Sequence, residues 1–226
     1  MIGGMNSTPA RFALLDLDGT LVDSTRPMLK WARSLCARYG LPPGGAEWIM
    51  AQRDSYSTWQ TFVGAAAVHL GHPGAATEWS EDLIENYPRE FTLDPAVAER
   101  LQALRDAGWK LAIVTNGGTG MQTAKIDQVR LHELVDVVCI SESEGVGKPD
   151  RAIFERAAGK LGVELGAHGW MVGDTLGADV AGGIAAGLRT IWLVDEENAA
   201  DAPDGPQPHH VSESIVAALD HILASD

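Results

Sequence analysis

Cysteine is nearly absent from this chain. Cys36 and Cys139 are the only two in 226 residues, too few and too scattered for a disulfide scaffold or a zinc cluster. The seven histidines show no metal-ligand spacing either. Positive charge is also scarce. Seventeen Lys and Arg stand against 31 Asp and Glu, a net charge of −14, which argues against nucleic acid or an anionic membrane as the main partner. No apolar run reaches the ~18 residues of a membrane span. Residues 1–10 are polar and Gly-rich, without the apolar core of a secretory signal. Internal repeats and low-complexity tracts are missing too. The expectation is a cytoplasmic protein that engages neither nucleic acid nor membrane. Any phosphate-bearing ligand then has to find its positive charge locally, in a metal, a Lys or a helix N-terminus.

What the chain has is alternation. From about residue 93 onward, short apolar strands (111–115, 135–140, 170–173, 190–194, and a short edge strand at 210–211) alternate with amphipathic helices (95–107, 152–161, 179–186). Together with the opening apolar run Phe12-Ala13-Leu14-Leu15, this implies βαβ units and a parallel sheet with helices on both faces. Ligands in such sheets bind beyond the carboxyl ends of the strands. Residues 22–92 break the rhythm. They hold four helical stretches (26–39, 46–54, 58–70, 77–87), no convincing strand, and connectors rich in Gly and Pro. The domains expected are therefore 1–21 with 93–226, an α/β core, and 22–92, an all-helical insertion joined by two short connectors. Residues 199–208, with three prolines, read as a surface loop.

Four short segments carry candidate chemistry. Asp16-Leu17-Asp18-Gly19-Thr20 follows the first strand and sets two carboxylates two residues apart, facing the same way. Like charges beside an apolar strand are costly unless a cation or a proton offsets them. Thr115-Asn116-Gly117-Gly118 follows a second strand, where a hydroxyl, an amide and Gly-freed N–H groups can hold phosphoryl oxygens. Its spacing fails the GxGxxG dinucleotide pattern. Gly147-Lys148-Pro149-Asp150 precedes a helix, and Pro149 keeps Lys148 extended, free to swing toward the strand ends. It is not a phosphate-binding P-loop, since Pro149 stands where Ser or Thr is required. Finally, Gly173-Asp174-Thr175-Leu176-Gly177-Ala178-Asp179 offers two acids to one oxygen-ligated cation, although Asp179 would also suit a helix N-cap.

In this order the four segments resemble the motifs of the haloacid dehalogenase-like hydrolase superfamily. The insertion resembles the helical cap of its phosphoglycolate phosphatase-like subgroup. The resemblance implies a Rossmann-like doubly wound core and a Mg²⁺-dependent phosphatase of small phosphomonoesters working through an aspartyl-phosphate. It makes Asp16 nucleophile and metal ligand, and Asp18 acid/base with its backbone carbonyl on the metal. Asp174 becomes the remaining ligand and Asp179 its support. Thr115, Asn116, Gly117 and Lys148 would bind the phosphoryl group, with Thr115 and Lys148 also counted among the catalytic residues. Four carboxylates, one Mg²⁺ and one ammonium leave a single net negative charge, which a proton on Asp18 would remove. A β-phosphoglucomutase-like sugar-phosphate mutase is the nearest alternative. A dehalogenase fits less well because that subgroup lacks the second Asp of the first motif. A non-catalytic phosphoryl-receiving domain would carry no such insertion.

Within residues 22–92, Trp31, Trp48, Trp59 and Trp79 are expected to pack a helical core, and Arg53 is a candidate anion anchor. The substrate stays open among phosphoglycolate, sugar phosphates and nucleoside monophosphates. So does the choice between monomer and homodimer.

Overall fold

The computed structural model describes residues 10–53, 55–56, 58–194 and 205–225. Most of the polar N-terminal stretch, part of the loop at 199–208 and the expected helix end at Asp54 lie outside the described residues. The chain divides into two compact units, Met1–Val22 with Leu93–Asp226, and Asp23–Thr92.

The first unit is built on six strands: β1 (Phe12–Leu15), β2 (Lys110–Thr115), β3 (Val137–Ile140), β4 (Gly169–Gly173), β5 (Arg189–Leu193) and β6 (His210–Ser212). They form one sheet in the order β3-β2-β1-β4-β5-β6, every neighbour pair parallel. All four residues of β1 are fully buried, as a continuous apolar run demands of a central strand covered on both faces. Helix α8 (Arg151–Leu161) packs Ile153, Phe154 and Ala157 onto the face that carries Phe12, Leu14 and Val114. Helices α5 (Pro95–Asp106) and α10 (Ile215–Ala224) pack against each other. The chain leaves β1 toward β2 and β3, then returns past it to β4, β5 and β6. The strand order thus reverses beside β1, the place where doubly wound sheets open a crevice at their carboxyl ends.

Two features depart from the sequence reading. Residues 119–128, assigned to no element, form helix α6 (Thr119–Gln128). Its inward face carries Met121 and Ile126 together with Gln122 and Lys125, so half of the apolar periodicity that would announce a helix is replaced by polar groups. The helix expected at 179–186 instead starts as a π-helical turn, Leu176–Val180, and continues as α9 (Ala181–Ala185). Asp179 therefore lies inside a wide turn of a kind often found at functional sites, not at an N-cap.

The second unit holds α1 (Thr25–Tyr39), α2 (Gly45–Gln52), α3 (Trp59–His69) and α4 (Ala76–Asn86). A reciprocal capping box between Thr58 and Thr61 opens α3. Trp31, Phe62, Trp79 and Leu83 are buried inside the unit. Trp48 stacks on His69 at 4.2 Å, and Trp59 meets Phe62 and Tyr87. Asp82 accepts hydrogen bonds from Trp31 Nε1 (2.8 Å) and Arg38 Nη1 (2.6 Å). Burial pushes this carboxyl up, but those bonds outweigh it and hold Asp82 below the usual carboxylate range. The tryptophans are thus committed to packing, as expected. The Arg53 guanidinium donates to Thr25 Oγ1 at 3.0 Å.

Two glycines test this packing with opposite signs. A Cβ at Gly169 would lie 2.1 Å from the buried Phe12 ring, so Gly169→Ala is expected to cost about 1–3 kcal/mol through overpacking. Gly159, exposed in α8, has open space around its Cβ position, so Gly159→Ala should gain about 0.5–1 kcal/mol. Urea unfolding midpoints read both changes. An unaltered midpoint for Gly169→Ala would contradict the seating of β4 against Phe12.

Candidate active site

The site grows from the carboxyl end of β1. The Asp16 N–H donates to Val172 O at 2.9 Å, which ties the end of β1 to β4. The chain then turns tightly, with Leu17 O accepting from Thr20 N–H and Val22 N–H. Gly19 in this turn has φ +75°, and a Cβ there would lie 2.2 Å from Asp174 Oδ2. Only glycine satisfies both the left-handed backbone and the close approach of the carboxylate.

Lys148 Nζ sits 2.6 Å from Asp16 Oδ1 and 2.6 Å from Asp179 Oδ1. Its side chain is 2% exposed, against 10% for Asp16 and 1% for Asp179. The backbone of Lys148 is clamped to the end of β2. Asn116 Nδ2 donates to Lys148 O and Lys148 N–H donates to Asn116 Oδ1, both at 2.8 Å. A Cβ at Gly147 would lie 2.7 Å from that same Oδ1, so the clamp needs glycine before the lysine. Likewise a Cβ at Gly173 would fall 2.2 Å from Asp179 Cγ. Asp179 Oδ2 accepts from Thr175 N–H at 3.0 Å, fixing the carboxylate.

Each of Asp16, Asp174 and Asp179 offers an oxygen, and these oxygens lie within 4.8 Å of one another. Burial pushes Asp16 up to about 6, with Lys148 working against the rise and the charge of Asp179 adding to it. Asp179 and Asp174 are also pushed up, first by burial. Burial works to lower Lys148, but the charges of Asp16 and Asp179 outweigh it and hold the ammonium above its ordinary range. Three carboxylates that resist ionisation together, gathered at a strand end, suit a hard divalent cation with oxygen ligands such as Mg²⁺.

Asp18 stands apart from that cluster. Its two oxygens accept from Lys125 Nζ at 2.8 and 2.9 Å, and Oδ2 also accepts from Gln122 Nε2 at 2.8 Å. Gln122 Nε2 further donates to Thr115 Oγ1 at 2.7 Å. Both α6 residues are buried, and sequence reasoning missed them: a Gln and a Lys three apart read as an ordinary solvated helix face. The charge count changes as a result. With Lys125 included, four carboxylates, a divalent cation and two ammonium groups sum to zero before substrate arrives.

Asn116 and Gly117 differ from their expected parts. The Asn116 amide is engaged at both ends by Lys148, and Gly117 N–H donates to Ser141 Oγ at 3.0 Å. The neighbouring Thr119 N–H donates to Glu142 Oε2 at 2.7 Å, which keeps Glu142 below the usual carboxylate range. These contacts brace the loop before α6, so in this structure neither the Asn116 amide nor the Gly117 N–H is directed at a ligand. Lys148, Asp16, Asp174 and Asp179 come together, while Thr115 is joined through Gln122 to Asp18.

Residues 11–187 match the family model of the haloacid dehalogenase-like hydrolases, and the chain belongs to that family. It is 35% identical over 189 residues to the glyceraldehyde 3-phosphate phosphatase of Pyrococcus abyssi, covering 79% of each chain. It is 34% identical over 152 residues to the ribulose-1,5-bisphosphate 5-phosphatase of Halopiger xanaduensis. That match takes in 66% of this chain and spans 63% of the relative's length. Among solved structures, the HAD phosphatase of Thermococcus onnurineus superposes with a TM-score of 0.68 at 26% identity, covering 96% of this chain and 99% of that one. Among the described residues no helix is long and apolar enough to cross a membrane.

The buried triad predicts a pH-dependent stability. Asp16 binds a proton more tightly folded than unfolded, so between about 3.8 and about 6 this group makes stability fall as pH rises. Lys148→Met removes the shared counter-charge and should cost about 3–5 kcal/mol where the acids are ionised. In chelator-treated protein the loss should be larger at pH 8 than at pH 5, because a protonated Asp16 needs no cation beside it. Equal losses at both pH values by urea unfolding would refute the coupling.

Proposed function

We propose that the protein is a Mg²⁺-dependent phosphatase that hydrolyses a small phosphomonoester through an aspartyl-phosphate on Asp16. The observation that carries this reading is the buried contact of Asp16 with Lys148 beside Asp174 and Asp179, in a chain related to phosphatases of small phosphorylated metabolites. Their substrates differ from one another, so the kinship supports the reaction class and leaves the substrate open.

The carboxylates of Asp16, Asp174 and Asp179, with the backbone carbonyl of Asp18, are the groups that would hold Mg²⁺. When bound, it supplies positive charge that offsets the developing charge on phosphoryl oxygens. Lys148 supplies a fixed positive charge beside the nucleophile and needs no reorganisation during the reaction. Asp16, with its pKa near 6, is mostly ionised at neutral pH, the form that attacks phosphorus. A phosphomonoester dianion makes the otherwise neutral site two charges negative, so Asp18 enters the reaction carrying a proton. As the bond from Asp16 to phosphorus forms, the bond to the ester oxygen breaks, and Asp18 gives that oxygen its proton. The Thr115 hydroxyl donates a hydrogen bond to a phosphoryl oxygen. Asp18, now a carboxylate, takes a proton from water attacking the aspartyl-phosphate, which frees phosphate and restores Asp16.

Asp16→Asn should fold normally yet lose turnover by well over a hundredfold, an effect of more than about 2.7 kcal/mol. A purified variant within a hundredth of wild-type kcat on p-nitrophenyl phosphate would rule out nucleophilic attack by Asp16. Metal binding has its own readout. Mg²⁺ at a hundred times its Kd should stabilise the protein by about 2.7 kcal/mol near pH 7.5. The thermal shift should shrink at pH 5, where the raised pKa values leave the acids partly protonated, and vanish in Asp174→Asn. A shift that is the same in Asp174→Asn would place the ion elsewhere.

A further inference from the structure

We infer that Gln122 and Lys125, on one face of α6, are positioning residues that hold the carboxylate of Asp18 for proton transfer and orient the hydroxyl of Thr115. This assignment rests on the phosphatase reading above. The first ground is placement. Lys125 has a side chain only 3% exposed, and Lys is almost never buried that fully without a partner. An apolar residue beside Met121 and Ile126 would pack the same helix face without desolvating an ammonium. What the lysine does there is meet both oxygens of Asp18.

The second ground is hydrogen-bond accounting. A carboxylate offers about four lone-pair sites. Lys125 occupies one on Oδ1 and one on Oδ2, and Gln122 takes a second on Oδ2. The lone pair left open is on Oδ1, where the transferred proton is carried. The other NH of the Gln122 amide goes to Thr115 Oγ1, so that hydroxyl accepts from protein and keeps its own proton free to donate. One amide therefore sets both Asp18 and Thr115, two groups that arrive from different strands. Gly117 contributes the space: a Cβ there would lie 3.0 Å from Gln122 Cγ and Cδ.

The test uses single-turnover release of phenols from phenyl phosphate and p-nitrophenyl phosphate, with the full-length enzyme in excess. Lys125→Met should slow phenyl phosphate about 10- to 100-fold, part of the ~10²–10⁴-fold that general acid catalysis supplies. It should affect p-nitrophenyl phosphate far less, because that leaving group needs little protonation. In an Asp18→Asn background the same change should cost nothing further, since a residue acting only through Asp18 has nothing left to act on. If Lys125→Met does not fold, Gln122→Met removes the bridging amide and is held to the same pattern, with an added rise in KM from the loosened Thr115. Equal slowing of both substrates, or a full additional loss on top of Asp18→Asn, overturns the inference while leaving the phosphatase reading intact. Retained turnover in Asp16→Asn overturns that reading and this inference with it.

Discussion

The cluster of acids at the end of this sheet is arranged around one buried ammonium. Lys148 lies against Asp16 and Asp179 with almost no access to water, and a desolvated charge of that kind persists only when its partners are fixed. The surrounding residues do that fixing. Asn116 spends both ends of its amide on the Lys148 backbone. Gly147 and Gly173 make room where any side chain would collide with Asn116 or Asp179. Gly182 does the same for Pro149, whose Cα would lie 2.9 Å from an added Cβ. The motif residues that look like independent contributions to a ligand site are therefore first of all a mutual support. Asn116 illustrates the point: an amide that reads from sequence as a phosphate contact serves to hold the cation in place.

Local electrostatics also explain how so acidic a chain can suit an anionic substrate. The global charge of −14 repels phosphate at long range, but surface charges are screened within about 8–10 Å at physiological salt. At contact distance a phosphate ester would meet Lys148 and the divalent cation that three crowded carboxylates favour. The acidity of the site is a means of gathering positive charge. Three acids pushed above their ordinary pKa gain from binding a divalent ion, since it relieves both burial and mutual repulsion.

The parts of this arrangement that were legible in the sequence are those written in short contiguous strings. Asp16–Thr20, Thr115–Gly118, Gly147–Asp150 and Gly173–Asp179 each join a strand end to a turn, and in a parallel sheet all strand ends meet on one edge. Their convergence follows from the alternation of strands and helices alone. The fold was readable for the same reason, because the strands are uninterrupted apolar runs. What was not readable is the part carried by α6. Gln122 and Lys125 belong to no string and sit where a solvated face is the ordinary reading. Their meaning depends on a contact with Asp18 across more than a hundred residues. The wide turn at Leu176–Val180 was hidden too, since the Gly-rich sequence there allows an ordinary helix as readily as a π-turn.

Asp16 and Asp18 show what such a division achieves. They are two residues apart in one motif, yet each has its own cation and its own surroundings. Asp16 faces Lys148 in a nearly dry cluster of acids. Asp18 is half-buried, outside that cluster, with three hydrogen bonds from two α6 side chains on its oxygens. A pair of carboxylates in one environment would share a proton and behave as a coupled unit. Separate counter-ions, one from the last turn of α6 and one just before α8, would let neighbouring acids take the different parts proposed above: attack at phosphorus by one, movement of a proton by the other. One strand end carries both carboxylates, and the lysines on either side give each its own surroundings.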